Sequence, residues 1–280
     1  MKKENNQSHN QITPTADLIC YYRIFSDTPY TKDIAKITNA EKTAKDILGD
    51  TFNSSYPMAV MAESRYKRID EKIKGYKNIL EVAVGRSPRG LIFTADKDVN
   101  YVATDLPDSL ENYKAIMSEL LKKYSLTRPN LKYVPVHVLN SEELKSASDL
   151  LPNGPIAFIS EGLMIYLPKE EKRIFLENIR NILKKRGGIM VTPDLMVFGA
   201  KTAQNNPVLA KVAQSSGRDM RDFGFSDQAE AVKFLNDIGF SVDVSTPNVP
   251  IKSITELQLE NNPLIKRYLD MPVWVLSVKK

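Results

Sequence analysis

Residues 78–90 read NILEVAVGRSPRG, an apolar run that leads into a loop with two glycines. The run from 78 to 84 is mostly aliphatic, which predicts a strand covered on both faces of a parallel sheet. Gly85 lets the backbone approach a ligand closely, and the small Ala83 keeps the end of the strand uncrowded. The loop departs from the dinucleotide fingerprint G-x-G-x-x-G, because Ala83 replaces the first glycine and the third has moved. On its own it also fits a tight turn between a strand and a helix.

Similar apolar runs recur along the chain and alternate with amphipathic stretches. Six further strands are predicted at 101–104, 132–138, 156–160, 189–192, 240–244 and 273–278. Helices are predicted at 107–124, 168–186 and 226–238, the first two beginning at a proline suited to a first helical turn. Strands that alternate with helices predict a doubly wound α/β sheet, here with seven strands in a Rossmann-like fold.

Two segments fall outside this alternation. Residues 1–75 contain an irregular arm and two helical stretches, at 37–48 and 55–74, and are predicted to form a helical N-terminal segment. Residues 195–224 follow the fifth strand and have a helical pattern. They are predicted to be an insertion in an α/β domain that spans residues 76–280.

The composition excludes several classes of protein. The chain has 280 residues with one cysteine and two histidines, which excludes an internal disulfide, a thiolate-rich zinc or iron–sulfur site and a multi-histidine metal site. It contains no G-x-S-x-G motif of a serine hydrolase. The net charge of +5 is spread among acidic neighbours, so no nucleic-acid partner is expected. The apolar run 18–22 is too short for a signal peptide or a membrane span, so we expect a cytoplasmic protein without a membrane partner.

The second predicted strand ends in an acid at a characteristic distance from the glycine loop. Asp105 lies 20 residues after Gly85, the spacing at which an acid meets the ribose of a bound nucleotide. A carboxylate there can accept hydrogen bonds from both ribose hydroxyl groups. The alternative is an N-cap for the helix that starts at Pro107. Together with the glycine loop, Asp105 favours a nucleoside site.

The third and fourth strands also lead into polar groups. Val138 and a polar side chain from His137 or Asn140 could border an adenine. Asn140 also fits a helix start, and an ordinary loop contact explains His137 equally well. Glu161 directly follows the fourth strand and precedes Gly162, which places a carboxylate in the crevice at the edge of the sheet. Burying that charge requires a partner cation, so a structural salt bridge is the alternative. Tyr166 either lines the same pocket or packs under the next helix.

These loops carry the most specific motifs in the chain, EVAVGRSPRG at 81–90, TDLP at 104–107 and EGLMIYLP at 161–168. Together they resemble the leucine carboxyl methyltransferase family of S-adenosylmethionine-dependent enzymes, which includes bacterial O-methyltransferases. Thr15 and Ala16 followed by Arg23, and SRY at 64–66, are similar to the N-terminal motifs of that family. The resemblance spans almost the whole chain. It implies a Rossmann-like methyltransferase sheet, S-adenosylmethionine as cofactor and S-adenosylhomocysteine as product.

The resemblance also implies a set of cofactor-binding residues, and the composition above predicts no metal. Arg65 matches the arginine that meets the methionine carboxylate, Asp105 matches the ribose acid, and Glu161 matches a glutamate that contacts the cofactor. The other implied positions are Glu81, Gly85, Leu106, His137 and Val138. The sequence departs from the family at Ala83, where a glycine is frequent, and at Ser87 and His137, where acids are frequent.

Methyl transfer from a sulfonium is an in-line displacement, so alignment of the reactants in a dry pocket can dominate the rate. A carboxylate acceptor needs no general base because its pKa is near ~4, whereas a hydroxyl would gain from one. Asp194 and Tyr166 are the candidate catalytic residues. The acceptor is expected to be a small molecule, with a protein C-terminus as the alternative. Its identity and the oligomeric state do not follow from the sequence.

The segments that flank the sheet are expected to complete the pocket. The N-terminal segment, with Tyr21, Tyr22 and Arg23, is predicted to fold over the cofactor as a lid, and 195–224 to form the wall for the acceptor.

Two other functions fit parts of the pattern. A nicotinamide-dependent dehydrogenase also has an acid after its second strand, but the third glycine is missing and Glu161 has no role beside a nicotinamide. A non-catalytic regulatory protein that binds an adenosyl cofactor is the other alternative, because a decaying enzyme could show the departures at Ala83 and Ser87.

Overall fold

Seven strands form one mixed sheet in the computed structural model, which describes residues 14–195, 211 and 224–279. They are β1 (Asn78–Val82), β2 (Asn100–Asp105), β3 (Leu131–Pro135), β4 (Ile156–Ser160), β5 (Gly188–Thr192), β6 (Phe240–Ser245) and β7 (Val273–Val278). Their order is β3-β2-β1-β4-β5-β7-β6, and β7 runs antiparallel to both of its neighbours. The predicted doubly wound, Rossmann-like sheet of seven strands is confirmed.

The predicted strands agree with the observed ones to within a few residues. The largest difference is in β3, which was predicted to continue to residue 138 but ends at Pro135. Proline has no amide hydrogen to donate to a strand ladder. The chain then turns, and the Asn140 amide donates to the carbonyl of His137 at 2.8 Å.

Helices cover both faces of the sheet. Those before β5 are α1 (described over 14–23), α2 (Thr31–Ile37), α3 (Ala40–Leu48), α4 (Met58–Ile73), α5 (Arg89–Phe93), α6 (Pro107–Lys123), α7 (Ser141–Asp149) and α8 (Lys169–Arg186). Further helices lie at Gln228–Ile238, Lys252–Glu256 and Leu264–Leu269, and short 3₁₀ turns at Gly49–Thr51, Asn53–Ser55 and Met164–Tyr166. The helices predicted at 55–74, 107–124, 168–186 and 226–238 are present, and the stretch predicted at 37–48 corresponds to the end of α2 and to α3. Short helices such as α5 were not predicted, because five residues are too few to show a helical period.

Two hydrophobic layers sandwich the sheet. Successive residues of a strand point to opposite faces, so Ile79 joins the layer that contains α4 and α6, while Leu80 joins the layer that contains α8 and Gln228–Ile238. This alternation with apolar residues on both faces explains why β1 appears in the sequence as a continuous apolar run.

The N-terminal segment packs closely on the C-terminal part of the chain. Arg68 on α4 donates to the carbonyls of Pro247, Leu269 and Met271 at 2.7 to 3.1 Å. Helix α4 also contacts β5 and β7. The predicted division at residue 76 stays a prediction, and the predicted insertion 195–224 lies outside the described residues except for Leu195, Lys211 and Gly224.

Within the described ranges, no helix is long and apolar enough to cross a membrane. No group of three or more histidine, cysteine, aspartate or glutamate side chains in the same ranges could hold a metal ion.

The strand order reverses between β1 and β4. From β1 the chain proceeds outward through β2 to β3, and from β4 it proceeds outward in the other direction. The register pairs Val82 with both Thr104 and Ser160, so the carboxyl ends of β1, β2 and β4 lie level with one another. In open α/β sheets a ligand binds beyond these ends, at the point of reversal.

Candidate functional site

A cavity of about 280 Å³ lies at this edge of the sheet. Its walls come from α1, α4 and the loops that follow β1, β2, β3, β4 and β5. The eight residues predicted to bind a cofactor all line it: Arg65, Glu81, Gly85, Asp105, Leu106, His137, Val138 and Glu161. Tyr166 also lines it, whereas Asp194 does not. The structure therefore brings together residues that are up to 96 positions apart in the chain.

The glycine loop after β1 turns through two left-handed residues. Both Ala83 and Gly85 have φ of 52°, a conformation that suits glycine and strains other L-amino acids. A side chain at Gly85 would also approach the Cβ of Ala16 on α1 to 3.2 Å. The loop therefore forms the floor of the cavity with a strained residue, Ala83, at a position where glycine would adopt the same φ without strain.

Replacing Ala83 by glycine is expected to raise the free energy of unfolding by about 0.5 kcal/mol, since relief of the left-handed strain slightly exceeds the entropy that glycine loses on folding. Urea denaturation followed by circular dichroism measures this change. The control is Ala95→Gly, an exposed residue without a positive φ, where the same change should be neutral or destabilising. Equal destabilisation at both positions would contradict the assigned strain.

Asp105 connects the first two loops. One of its carboxylate oxygens accepts from the Gly85 amide at 3.0 Å, and the other accepts from the Leu106 amide at 2.8 Å. Burial raises the pKa of Asp105, and these two amides oppose that effect by stabilising the charged form. A carboxylate oxygen has more than one lone pair, so Asp105 can still accept hydrogen bonds from a ligand in the cavity.

The loop after β3 is shaped by a helix cap. The side chain of Asn140 accepts from the amides of Glu142 and Glu143 at the start of α7, and a Glu143 carboxylate oxygen accepts from the His137 amide at 2.6 Å. His137 and Val138 are thereby held at the cavity wall. Asn140 is a cap, as the alternative interpretation held.

Glu161 is the most heavily paired acid of the site. It accepts from Arg23 on α1 at 2.5 Å, and from Arg65 on α4 and Arg89 on α5 at 3.3 and 3.1 Å. These three cations outweigh the cost of burial and lower the pKa of Glu161 to about 2. Three arginines therefore supply the positive charge that a buried glutamate requires.

Arg89 is the centre of a charge network that the sequence motifs do not indicate. Its side chain is fully buried and donates to Glu81, to Asp70 at 2.6 Å and to Glu161. Its guanidinium also lies 4.0 Å from the centroid of the Tyr66 ring, an attractive cation–π geometry.

Glu81 additionally accepts from Tyr101 at 2.5 Å, so both of its oxygens have partners within the protein. Although Glu81 lines the cavity, its observed contacts hold Arg89. In the sequence, the signal for this ion pair is that Glu81 interrupts an apolar strand and Arg89 follows it by eight residues.

Two guanidinium groups at this end keep spare hydrogen-bonding capacity. The Nε atoms of Arg23 and Arg65 are buried and have no hydrogen-bond partner. Both residues line the cavity beside Glu161. Buried donors are rarely left unpaired, and a planar guanidinium is well suited to a carboxylate. The site therefore fits a ligand with a carboxylate at this end and a sugar hydroxyl at Asp105.

Asp194 has a different role from the one predicted. It is buried, and its carboxylate accepts from the amides of Gly162, Leu163 and Met164 at 2.8 to 3.1 Å. Both oxygens are thereby committed to the loop that follows Glu161, and the side chain does not line the cavity. The structure does not support Asp194 as a general base; it is a positioning residue for that loop.

Helix α1 forms the wall opposite the strands. Tyr166 donates to Thr15 at 3.0 Å, and Arg86 in the glycine loop donates to Asp17 at 2.6 Å. Together with the ion pair between Arg23 and Glu161, these contacts join α1 to the loops after β1 and β4. The described part of the N-terminal segment thus covers one side of the cavity.

No protein-family model matches the sequence, and no curated protein matches it. Among solved structures, the chain is similar to an O-methyltransferase family protein from Burkholderia thailandensis, at 10% identity and a TM-score of 0.49 over 84% of this chain and 62% of that one. It is also similar to PigF with SAH, at 13% identity and a TM-score of 0.49 over 84% of this chain and 60% of that one. A third similar structure is the methyltransferase domain of bacterial CtHen1, at 13% identity and a TM-score of 0.49 over 79% of this chain and 100% of that one. The chain spans less than two thirds of the first two proteins.

Proposed function

We propose that the protein is an S-adenosylmethionine-dependent methyltransferase that methylates an oxygen atom of its acceptor. One observation carries the proposal: a single cavity joins the acid after β2 to a carboxylate after β4 and to two arginines with unpartnered Nε atoms. The first of these groups suits a ribose and the others suit an amino acid. Adenosylmethionine contains both, joined by a sulfonium.

Each part of the cofactor has residues that would hold it. Asp105 would accept from the ribose hydroxyls, and Val138 with His137 would border the adenine. Arg65 and Arg23 would donate to the carboxylate, while Glu161 would face the ammonium group. Gly85 would let the backbone pass close to the ligand.

The cofactor supplies a methyl group on a positively charged sulfur, from which it is displaced by the acceptor oxygen. The protein contributes alignment and exclusion of water, because α1 and α4 cover the cavity at the strand ends. A carboxylate acceptor would need no base, whereas a hydroxyl would. Tyr166 faces the cavity but already donates to Thr15, which favours a supporting role.

We further propose that the protein is a member of the leucine carboxyl methyltransferase family. The support is the motif set at 81–90, 104–107 and 161–168, whose implied residues line one cavity. A small-molecule acceptor is the first expectation, and a protein C-terminus is the alternative.

Calorimetric titration with S-adenosylhomocysteine, NADH and NADPH tests the proposed cofactor. We expect the protein to bind S-adenosylhomocysteine and neither NADH nor NADPH. We also expect it to transfer a methyl group from S-adenosylmethionine to at least one member of a panel of carboxylate and phenol acceptors. Tight binding of a nicotinamide cofactor instead would establish the dehydrogenase. Binding of the adenosyl cofactor without turnover on any acceptor would favour the regulatory alternative.

Asp105→Ala is expected to weaken the binding of S-adenosylhomocysteine by about 1–3 kcal/mol, because the ribose hydroxyls lose their acceptor. Calorimetry measures the change. The matched control is Asp108→Ala, an exposed acid in the first turn of α6, which should leave the affinity unchanged. Equal affinities of Asp105→Ala and the unaltered protein would remove Asp105 from the site.

Helix α1 is expected to act as a lid that bound ligand stabilises. Hydrogen exchange of residues 14–23 should slow when S-adenosylhomocysteine is added, because the ligand would join Arg23 to the loops after β1 and β4. Exchange in the helix Gln228–Ile238, which lies on the other face of the sheet and does not line the cavity, serves as the internal control. Unchanged exchange in 14–23 with bound ligand would argue against a lid.

A further inference from the structure

Part of the cavity wall is not used by any group of the proposed cofactor. Met58 and Met61 on α4 line the cavity together with Arg65. The three residues are spaced by three and four positions, so they lie on one face of the helix. At 1.5 Å per residue, Met61 and Met58 lie about 6 Å and 10 Å beyond Arg65 along the helix axis. The cavity thus continues past the amino-acid end of the cofactor site.

Helix α1 completes this apolar extension. Ile19 on α1 lines the cavity and belongs to the same hydrophobic layer as Met58 and Met61. The two helices are joined at Glu161, which accepts from Arg23 on α1 and from Arg65 on α4. The methionine pocket, defined as Ile19, Met58 and Met61, is therefore made by two helices that are bound to the same carboxylate.

The two acids at the Arg65 end of the cavity are already paired within the protein. Glu161 is paired with three arginines, and Glu81 with Arg89 and Tyr101. The three side chains of the pocket itself are apolar. Methionine is flexible and polarizable, and it adapts to irregular apolar surfaces. Such a wall gains free energy from an apolar occupant and offers no specific contact to a polar one.

We infer that the methionine pocket holds the apolar body of the methyl acceptor, which is an amphipathic molecule with a hydrocarbon portion next to its methylated oxygen. This rests on the proposed function for the position of the cofactor, and it adds the class of acceptor. The oxygen of such a molecule faces the sulfonium, which lies between the Asp105 and Arg65 ends of the cofactor site, while its hydrocarbon portion extends along α4 towards Met58.

The test uses butanoate, hexanoate, octanoate and decanoate as probes of the full-length protein. Their affinities are measured by calorimetry in the presence of saturating S-adenosylhomocysteine. We expect affinity to rise along the series by about fourfold for each added methylene, the ratio given by ~0.8 kcal/mol per buried CH₂. Affinity that is independent of chain length would overturn the inference.

Two variants locate the binding. Met61→Glu places a charge in the pocket at similar volume and should abolish the dependence on chain length, whereas Met61→Leu should retain it. The affinity for S-adenosylhomocysteine reports whether Met61→Glu has folded correctly. If the chain-length dependence survives in a Met61→Glu protein that binds S-adenosylhomocysteine, the probes bind elsewhere and the inference is wrong. The series on the unaltered protein decides the matter if that variant does not fold.

The two proposals fail in different ways. If S-adenosylhomocysteine does not bind the unaltered protein, the proposed function is wrong whatever the probes do. If it binds and the probes show no chain-length dependence, the cofactor assignment stands and the acceptor class is wrong.

Discussion

Arg89→Met is expected to lower the free energy of unfolding by about 3–5 kcal/mol, the cost of removing one partner from a buried charge network. Arg89 is fully buried and donates to Asp70, Glu81 and Glu161. Methionine fills a similar volume, but it leaves these carboxylates without their shared cation. Urea denaturation at pH 7 measures the loss. Burial raises the pKa of Asp70 to about 6, so Asp70 is charged at this pH in the unaltered protein.

Two further variants separate the network from a general effect of the substitution. Arg267→Met changes an exposed arginine and should alter the free energy of unfolding by no more than about 0.5 kcal/mol. Glu81→Gln added to Arg89→Met should recover part of the loss, because it removes one of the unpaired charges. A cost for Arg89→Met no larger than that for Arg267→Met would show that the network contributes little.

The sheet could be predicted from the sequence because its signals are local. Strand β1 is covered on both faces, and its apolar run is visible without knowledge of its neighbours. The helix α6 begins at Pro107, whose fixed φ suits a first turn. Elements without a period, such as α5, left no such signal.

The floor of the site could also be predicted, since the strand order of this kind of fold brings the ends of β1, β2 and β4 together. Asp105 and Glu161 were recognised from their positions directly after strands. Their partners were not, because an ion pair such as that between Arg23 and Glu161 joins residues 138 positions apart. Burial requires that Glu161 have a cation, but nothing in the sequence states which one.

Asp194 shows the limit of reading strand ends. It follows the fifth strand as Glu161 follows the fourth, and both positions predicted functional acids. In the structure Asp194 accepts three backbone amides of the loop after β4. Satisfying buried backbone donors is a common use of a carboxylate, and the sequence alone does not distinguish it from catalysis.

Glu161→Gln is expected to lower the free energy of unfolding by about 3 kcal/mol at neutral pH. The pKa of Glu161 is held at about 2, below the ordinary value of 4.5, and such a difference corresponds to roughly 3 kcal/mol of stabilisation of the charged form. A carboxyl group with a lowered pKa stabilises the folded protein above its unfolded pKa, and this contribution is lost as the pH falls through the folded value. The deficit of the variant should therefore be full at pH 7 and shrink as the pH falls from about 4.5 towards 2.

Glu230→Gln is the matched control for this effect. The pKa of Glu230 is also lowered to about 2, mainly by its hydrogen bond with Lys169, but its side chain is 39% exposed, against 5% for Glu161. Water screens an exposed pair, so Glu230→Gln should cost no more than about 1 kcal/mol. Denaturation of both variants and the unaltered protein at several values of pH gives the two differences directly. Because the two carboxyl groups share a similar pKa and differ in burial, a large cost at Glu161 alone would assign the stabilisation to the buried arginines. Equal costs would contradict that assignment.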